Sequence, residues 1–130
     1  MAGETILIVE DNEKNMKLLR DVLGHRGYVT LEAETGEDGV ALATEHIPDV
    51  VLMDIQLPGI DGIEAFKQIQ ANESTRHIPI IAVTASAMQE QRAEIESVGF
   101  AGYQPKPIRL KEFIAFLEEV LAKRGGAGES

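Results

Sequence analysis

The sequence predicts an α/β fold: one five-stranded parallel sheet in the order 2-1-3-4-5, with helices on both faces. Short apolar runs alternate with longer segments of helical periodicity along the whole chain. The central runs are apolar without alternation, as strands buried on both faces are. Parallel neighbours need right-handed crossovers. Five strands suit the doubly wound order in which the first and third are adjacent, and ligands of such sheets bind at the carboxyl ends beside that switch point.

The strand-like runs are TILIVE (5–10), YVTLEA (28–33), DVVLMD (49–54), IPIIAVT (78–84) and the shorter AGYQ (101–104). The first helical segment carries Met16, Leu19, Val22 and Leu23 on one face, the second covers about 36–46, and the third runs through Ile63, Phe66 and Ile69. A fourth is expected over about 85–98. The fifth has Leu110, Phe113, Ile114, Leu117, Val120 and Leu121 at spacings of three and four. Thr35 and Asp61 stand where N-caps belong, with Asp38 and Glu64 three residues later, and Gly27, Gly99 and Gly125 follow helices. The reading is one domain over 1–124, followed by a small, polar, flexible tail over 125–130 (GGAGES).

Composition narrows the function. Lys and Arg number 12 against 22 Asp and Glu, a net charge of -10, so a nucleic-acid backbone would be repelled. Cysteine is absent, which removes disulfides, thiolate metal sites and thiol nucleophiles. No apolar stretch approaches the ~18 residues that span a bilayer, and the first residues lack a basic n-region. A cytoplasmic protein without membrane insertion is expected.

The informative feature is DVVLMDIQLPG, where a buried strand ends on a carboxylate, Asp54. Strand one ends in Glu10 and Asp11. In the order 2-1-3-4-5 these three acids share one crevice, because adjacent strands lie ~4.8 Å apart. Two like charges ~4 Å apart repel by ~4 kcal/mol at an effective dielectric of about 20, so the cluster needs a raised pKa, water or a cation. Hard oxygen ligands with open positions suit Mg²⁺. A lone acid in such a place is more simply a cap, as Asp11 could be for the next helix, or a turn residue, as Asp54 could be. Strand four ends in Thr84 and strand five leads into Lys106. Acids, a hydroxyl and an ammonium at successive strand ends suit the handling of a phosphoryl group, with Asp54 the best placed nucleophile.

ILIVEDNEKN, VVLMDIQLPGIDG, IIAVTA and KPI resemble, in order, the signatures of the response-regulator receiver family over residues 5 to about 122. VEDNEKNMKLL and MDIQLPGIDG look most like the stand-alone regulators of the DivK type and the receivers of hybrid histidine kinases. The resemblance implies that Asp54 is the phospho-acceptor, that Glu10 and Asp11 belong to the Mg²⁺ pocket with the Gln56 backbone carbonyl, that Thr84 is the switch hydroxyl and that Lys106 contacts the phosphoryl group. It also implies Tyr103 as the switch aromatic and a cis bond at Lys106-Pro107. Pro105, directly before the lysine, departs from the small residue usual there.

The function implied is a two-component signalling switch, not a turnover enzyme. Its phosphoryl donor is a histidine kinase or histidine phosphotransfer protein, its output a downstream protein effector, and a monomer is expected. Asn15, Met16 and Leu19 on helix one are expected beside the donor, and Met88, Tyr103 and Ile108 on the output face. The alternative is a Mg²⁺-dependent phosphatase or phosphotransferase of haloacid-dehalogenase-like type. Such enzymes resemble one another in an Asp-x-Asp pattern after the first strand, whereas Ile55 and Gln56 follow Asp54 on strand three.

Overall fold

The computed structural model describes residues 3–85 and 89–129, the side chains of 89–91 and 124–129 excepted. Elements follow in the order β1 (Thr5–Val9), α1 (Glu13–His25), β2 (Val29–Ala33), α2 (Gly36–His46), β3 (Val50–Asp54), α3 (Gly62–Ala71), β4 (Ile80–Thr84), α4 (Gln89–Val98), β5 (Gly102–Pro105) and α5 (Leu110–Glu129). The strands form one parallel sheet in the order β2-β1-β3-β4-β5. This is the predicted fold.

Strand side chains alternate between faces, and the apolar runs therefore feed two cores. Leu7, Val9, Val51, Met53, Ile80 and Ala82 meet α2, α3 and α4 through Ala43, Phe66, Ile69 and Ile95. Ile6, Ile8, Val50, Leu52, Ile81 and Val83 meet α1 and α5 through Met16, Leu19, Leu23, Phe113 and Leu117. β3 and β4 are buried along their whole length, which explains their lack of alternation. Phe66 and Phe100 stack with centroids 4.2 Å apart, tying α3 to the segment before β5.

Caps fix where helices start. Thr35 accepts from the Asp38 amide and Asp61 from the Glu64 amide, as expected. Helix α1 is capped by Asn12, which accepts from the Asn15 amide, so Asp11 is not committed to that task. Two boundaries differ from the sequence reading. Ala85 lies outside α4, which is described from Gln89. Backbone helix α5 continues to Glu129, past the Gly125 where the tail was expected to begin. Glycine weakens a helix by ~1 kcal/mol each but leaves every amide donor in place, and no proline follows to end it. Among the described residues no helix is long and apolar enough to cross a membrane.

Candidate functional site

Register places the acids. Val9 pairs with Met53 and Asp54 with Val83, so β1 runs out into Glu10 beside the end of β3. The ladder continues one step beyond the strands: Glu10 N–H donates to Ala33 O, Ile55 N–H to Val83 O and Lys106 N–H to Thr84 O. Backbone bonds thus fix the points from which three of the expected site residues project. Thr84 ends β4 with 1% exposure.

Glu10, Asp11 and Asp54 each bring a carboxylate oxygen within 4.8 Å of the others. Glu10 and Asp54 are buried and Asp11 is exposed at the rim. Lys106 reaches in from the far side, its Nζ 3.0 Å from Asp54 Oδ2 and 3.2 Å from Glu10 Oε2. Glu10 Oε2 also accepts from the Asn12 amide. Glu10 Oε1 lies 2.9 Å from the same Nζ but outside hydrogen-bonding geometry, and it is buried with no hydrogen-bond partner. The contact is therefore an ion contact only. The Lys106-Pro107 peptide bond is cis.

The electrostatics follow from burial. Desolvation, opposed by the Lys106 hydrogen bond and reinforced by the Glu10 charge, pushes the Asp54 carboxyl from 3.8 up to about 6. Burial works to lower the Lys106 ammonium, but hydrogen bonds and charge from Glu10 and Asp54 outweigh it and hold the group above its usual value. One lysine facing three carboxylates leaves a surplus of negative charge. Three hard-oxygen carboxylates within 4.8 Å of one another, served by one ammonium, fit a small divalent cation such as Mg²⁺.

The loop after Asp54 is held on several sides. Asp54 Oδ1 accepts from the Gln56 amide at 3.1 Å, so the residue makes a local turn as well as facing the lysine. Gly62 N–H returns to Ile55 O at 2.9 Å. A side chain on Gly62 would collide with the Asp54 carbonyl oxygen and the Ile55 backbone. Sequence reading passed over both Gly62 and Asn12. Their signals were a glycine directly after a capping Asp and an Asn directly before an acidic first turn.

Two of the residues expected beside the donor on α1 need correction. Met16 and Leu19, placed beside the incoming donor by sequence, have 5% and 1% exposure and pack in the core. The face of α1 they occupy is the one facing the sheet; Leu18 is exposed instead, and Asn15 is half-buried. Met16 still lines an acidic recess of about 250 Å³ with Glu10, Asp11, Arg20 and Glu32. On the opposite side of the site Tyr103 is half-buried, with the Arg92 guanidinium 4.9 Å above its ring, in cation–π range. Ile108 is partly buried against the α1–α5 core. Met88 lies outside the described residues.

Against this geometry, the family model described as "Response regulator receiver domain" matches residues 6–118. The chain is 45% identical over 118 residues to the polar-differentiation response regulator DivK of Brucella ovis, covering 91% of this chain and 96% of that one. The receiver domain of sensor histidine kinase PA1611 from Pseudomonas aeruginosa PAO1 superposes with a TM-score of 0.86 at 36% identity, over 93% of this chain and 99% of that one. That structure carries a magnesium ion coordinated in its active-site cleft. Chemotaxis protein CheY4 of Vibrio cholerae superposes with a TM-score of 0.85 at 25% identity, over 92% of this chain and 99% of that one.

Proposed function

The chain belongs to the response regulator receiver domain family, and on that premise we propose that it is a phospho-accepting switch whose acceptor is Asp54. Receiver domains are signalling switches. The observation that carries the assignment is Lys106 Nζ 3.0 Å from Asp54 Oδ2, inside a cluster of three carboxylates. An ammonium in that place offsets charge on an oxygen bound to phosphorus. Glu10, Asp11 and Asp54, with the Gln56 carbonyl, are the groups that would hold Mg²⁺. Bound there, the ion supplies further positive charge to the phosphoryl oxygens.

One Asp54 oxygen attacks the phosphorus of a phosphohistidine on a histidine kinase or histidine phosphotransfer protein. The P–O bond forms, the P–N bond breaks, and its electron pair returns to the ring nitrogen, which a proton restores to histidine. Water later attacks the acyl phosphate, releasing inorganic phosphate and the Asp54 carboxylate. Lys106 keeps the acceptor ionised and oriented. Thr84 donates its hydroxyl to the added oxygens, and Tyr103 responds by changing the surface that a downstream protein effector reads, with Ile108 at its border. The protein acts as a monomer in the cytoplasm. The haloacid-dehalogenase-like alternative is not favoured, because Asp54 ends β3 within a receiver-family match.

Incubation with acetyl phosphate and Mg²⁺, followed by intact-mass analysis, tests the assignment. One phosphoryl group is expected on the unaltered chain and none on Asp54→Asn. Full labelling of the variant would overturn it.

A further inference from the structure

The loop between β3 and α3 turns at Pro58 and Gly59, and Gly59 adopts φ +75°, as the third residue of a type II turn does. Such a turn closes when its fourth amide returns to its first carbonyl. Here the Ile60 amide points instead to a carboxylate of another helix, Glu37 Oε2, at 3.4 Å. Glu37 lies in the first turn of α2. Its carboxylate fills the space over Gly59, where an added Cβ would stand 2.7 Å from Oε2 and 2.9 Å from Oε1. One residue earlier, a Cβ on Gly36 would stand 2.7 Å from Ile60 Cγ1 and 2.8 Å from Ile60 O. Two glycines, one on each element, let α2 sit against the apex of the loop, and one carboxylate caps the contact.

The other hydrogen-bond anchors of the loop are at its base: Gln56 N–H on Asp54 Oδ1, Gly62 N–H on Ile55 O and Glu64 N–H on Asp61, while the side chains of Leu57 and Ile60 pack against the core. None of these hydrogen bonds holds the backbone from Leu57 to Ile60, which is continuous with Gln56; the one at Ile60 is accepted by Glu37. We propose that Glu37 is a positioning residue that holds the apex of the β3–α3 loop and thereby fixes the Gln56 carbonyl for Mg²⁺ binding. This rests on the functional reading above, in which that carbonyl completes the metal site. Glu37 acts through the backbone of Ile60, as a hydrogen-bond acceptor, without touching the ion.

That role separates from a charge effect by a conservative variant. Glu37→Gln keeps an acceptor oxygen on the same side-chain length and loses the charge, whereas Glu37→Ala loses both. Titration calorimetry with Mg²⁺ alone should show affinity reduced about three- to tenfold in Glu37→Ala, the factor a lost hydrogen bond implies, with Glu37→Gln near the unaltered chain. Without metal, amide exchange at Ile60 should quicken in Glu37→Ala and stay slow in Glu37→Gln. Because Glu37 is exposed and loses one hydrogen bond, the thermal midpoint of Glu37→Ala should fall by no more than a few degrees, and that of Glu37→Gln should stay unchanged. If the unaltered chain binds Mg²⁺ and Glu37→Ala binds it equally, the inference is overturned alone. A Glu37→Gln variant as weak as Glu37→Ala also overturns it, in favour of charge. If the unaltered chain does not bind Mg²⁺, the functional reading fails and the inference fails with it.

Discussion

The α-carbon of Gly62 lies against the carbonyl oxygen of Asp54, leaving no room for a side chain between the start of α3 and the end of β3. The proposed acceptor is therefore braced from behind by a helix N-terminus whose own cap, Asp61, is one residue away. Backbone meets backbone here, so an added methyl cannot be relieved by a rotamer change.

Gly62→Ala should therefore cost ~1–3 kcal/mol of stability, the range of an overpacked site. It should also slow small-donor labelling of Asp54 by displacing the β3 end. Urea unfolding and a labelling time course would check both. Unchanged stability would show that the contact yields easily.

Asp54 gives a pH prediction with a definite sign. Its folded-state pKa of about 6 lies above the ordinary 3.8, so the folded chain binds this proton more tightly than the unfolded one. That contribution to stability is fully present below pH ~4 and is lost as pH rises through about 6. Lys106, held above its usual value, stays charged across this range and adds no slope. Without metal, Asp54→Asn should be more stable than the unaltered chain at pH 8, by about 3 kcal/mol, and should converge with it below pH ~4. Urea titrations in chelator at both pH values measure this. A less stable Asn variant at pH 8 would refute it.

Lys106→Met removes the only cation seen to contact both Glu10 and Asp54 among the described residues. Two buried carboxylates left without a counter-charge should destabilise the metal-free protein at pH 8 by ~3–5 kcal/mol. Lowering the pH through the titration of Asp54 should recover part of that loss. A melting temperature equal to that of the unaltered chain at pH 8 would contradict the role of the ion pair.

The two contact faces make separable claims. Leu18 is 39% exposed on α1, whereas Met16 and Leu19 are core residues whose substitution would disturb packing as well as any docking. Leu18→Glu should slow phosphoryl transfer from a phosphodonor protein and leave acetyl phosphate labelling intact. Tyr103→Ala should leave both labelling reactions intact and weaken binding of a phosphorylation-dependent partner. Amide shifts on beryllofluoride addition should extend from the Asp54 pocket to Thr84 and Tyr103. Shifts confined to the pocket would end the switch proposal.

The sheet and the convergence at its carboxyl ends were legible in the chain before folding. The first follows from short-range pattern, since doubly apolar runs such as VVLM and IIAV suit central parallel strands; the second follows from the doubly wound order that suits five strands, which brings the ends of β1 and β3 together with Glu10, Asp11 and Asp54 on them. Periodicity also showed that Met16 and Leu19 share a helix face, but it could not say whether that face meets the sheet or a partner. Packing of α1 decided that it meets the sheet. The same limit applies to capping. Asp11 and Asn12 are equally good caps by residue type, and only the backbone path out of β1 assigned the task to Asn12, leaving Asp11 at the rim. The raised pKa of Asp54, the Lys106 ion contact of Glu10 and the seat of Glu37 over Gly59 belong wholly to tertiary structure. Each depends on groups that meet only when the chain closes, such as Lys106, 52 residues from Asp54. Burial and charge at such a meeting point are properties of the assembled sheet, and no local pattern encodes them.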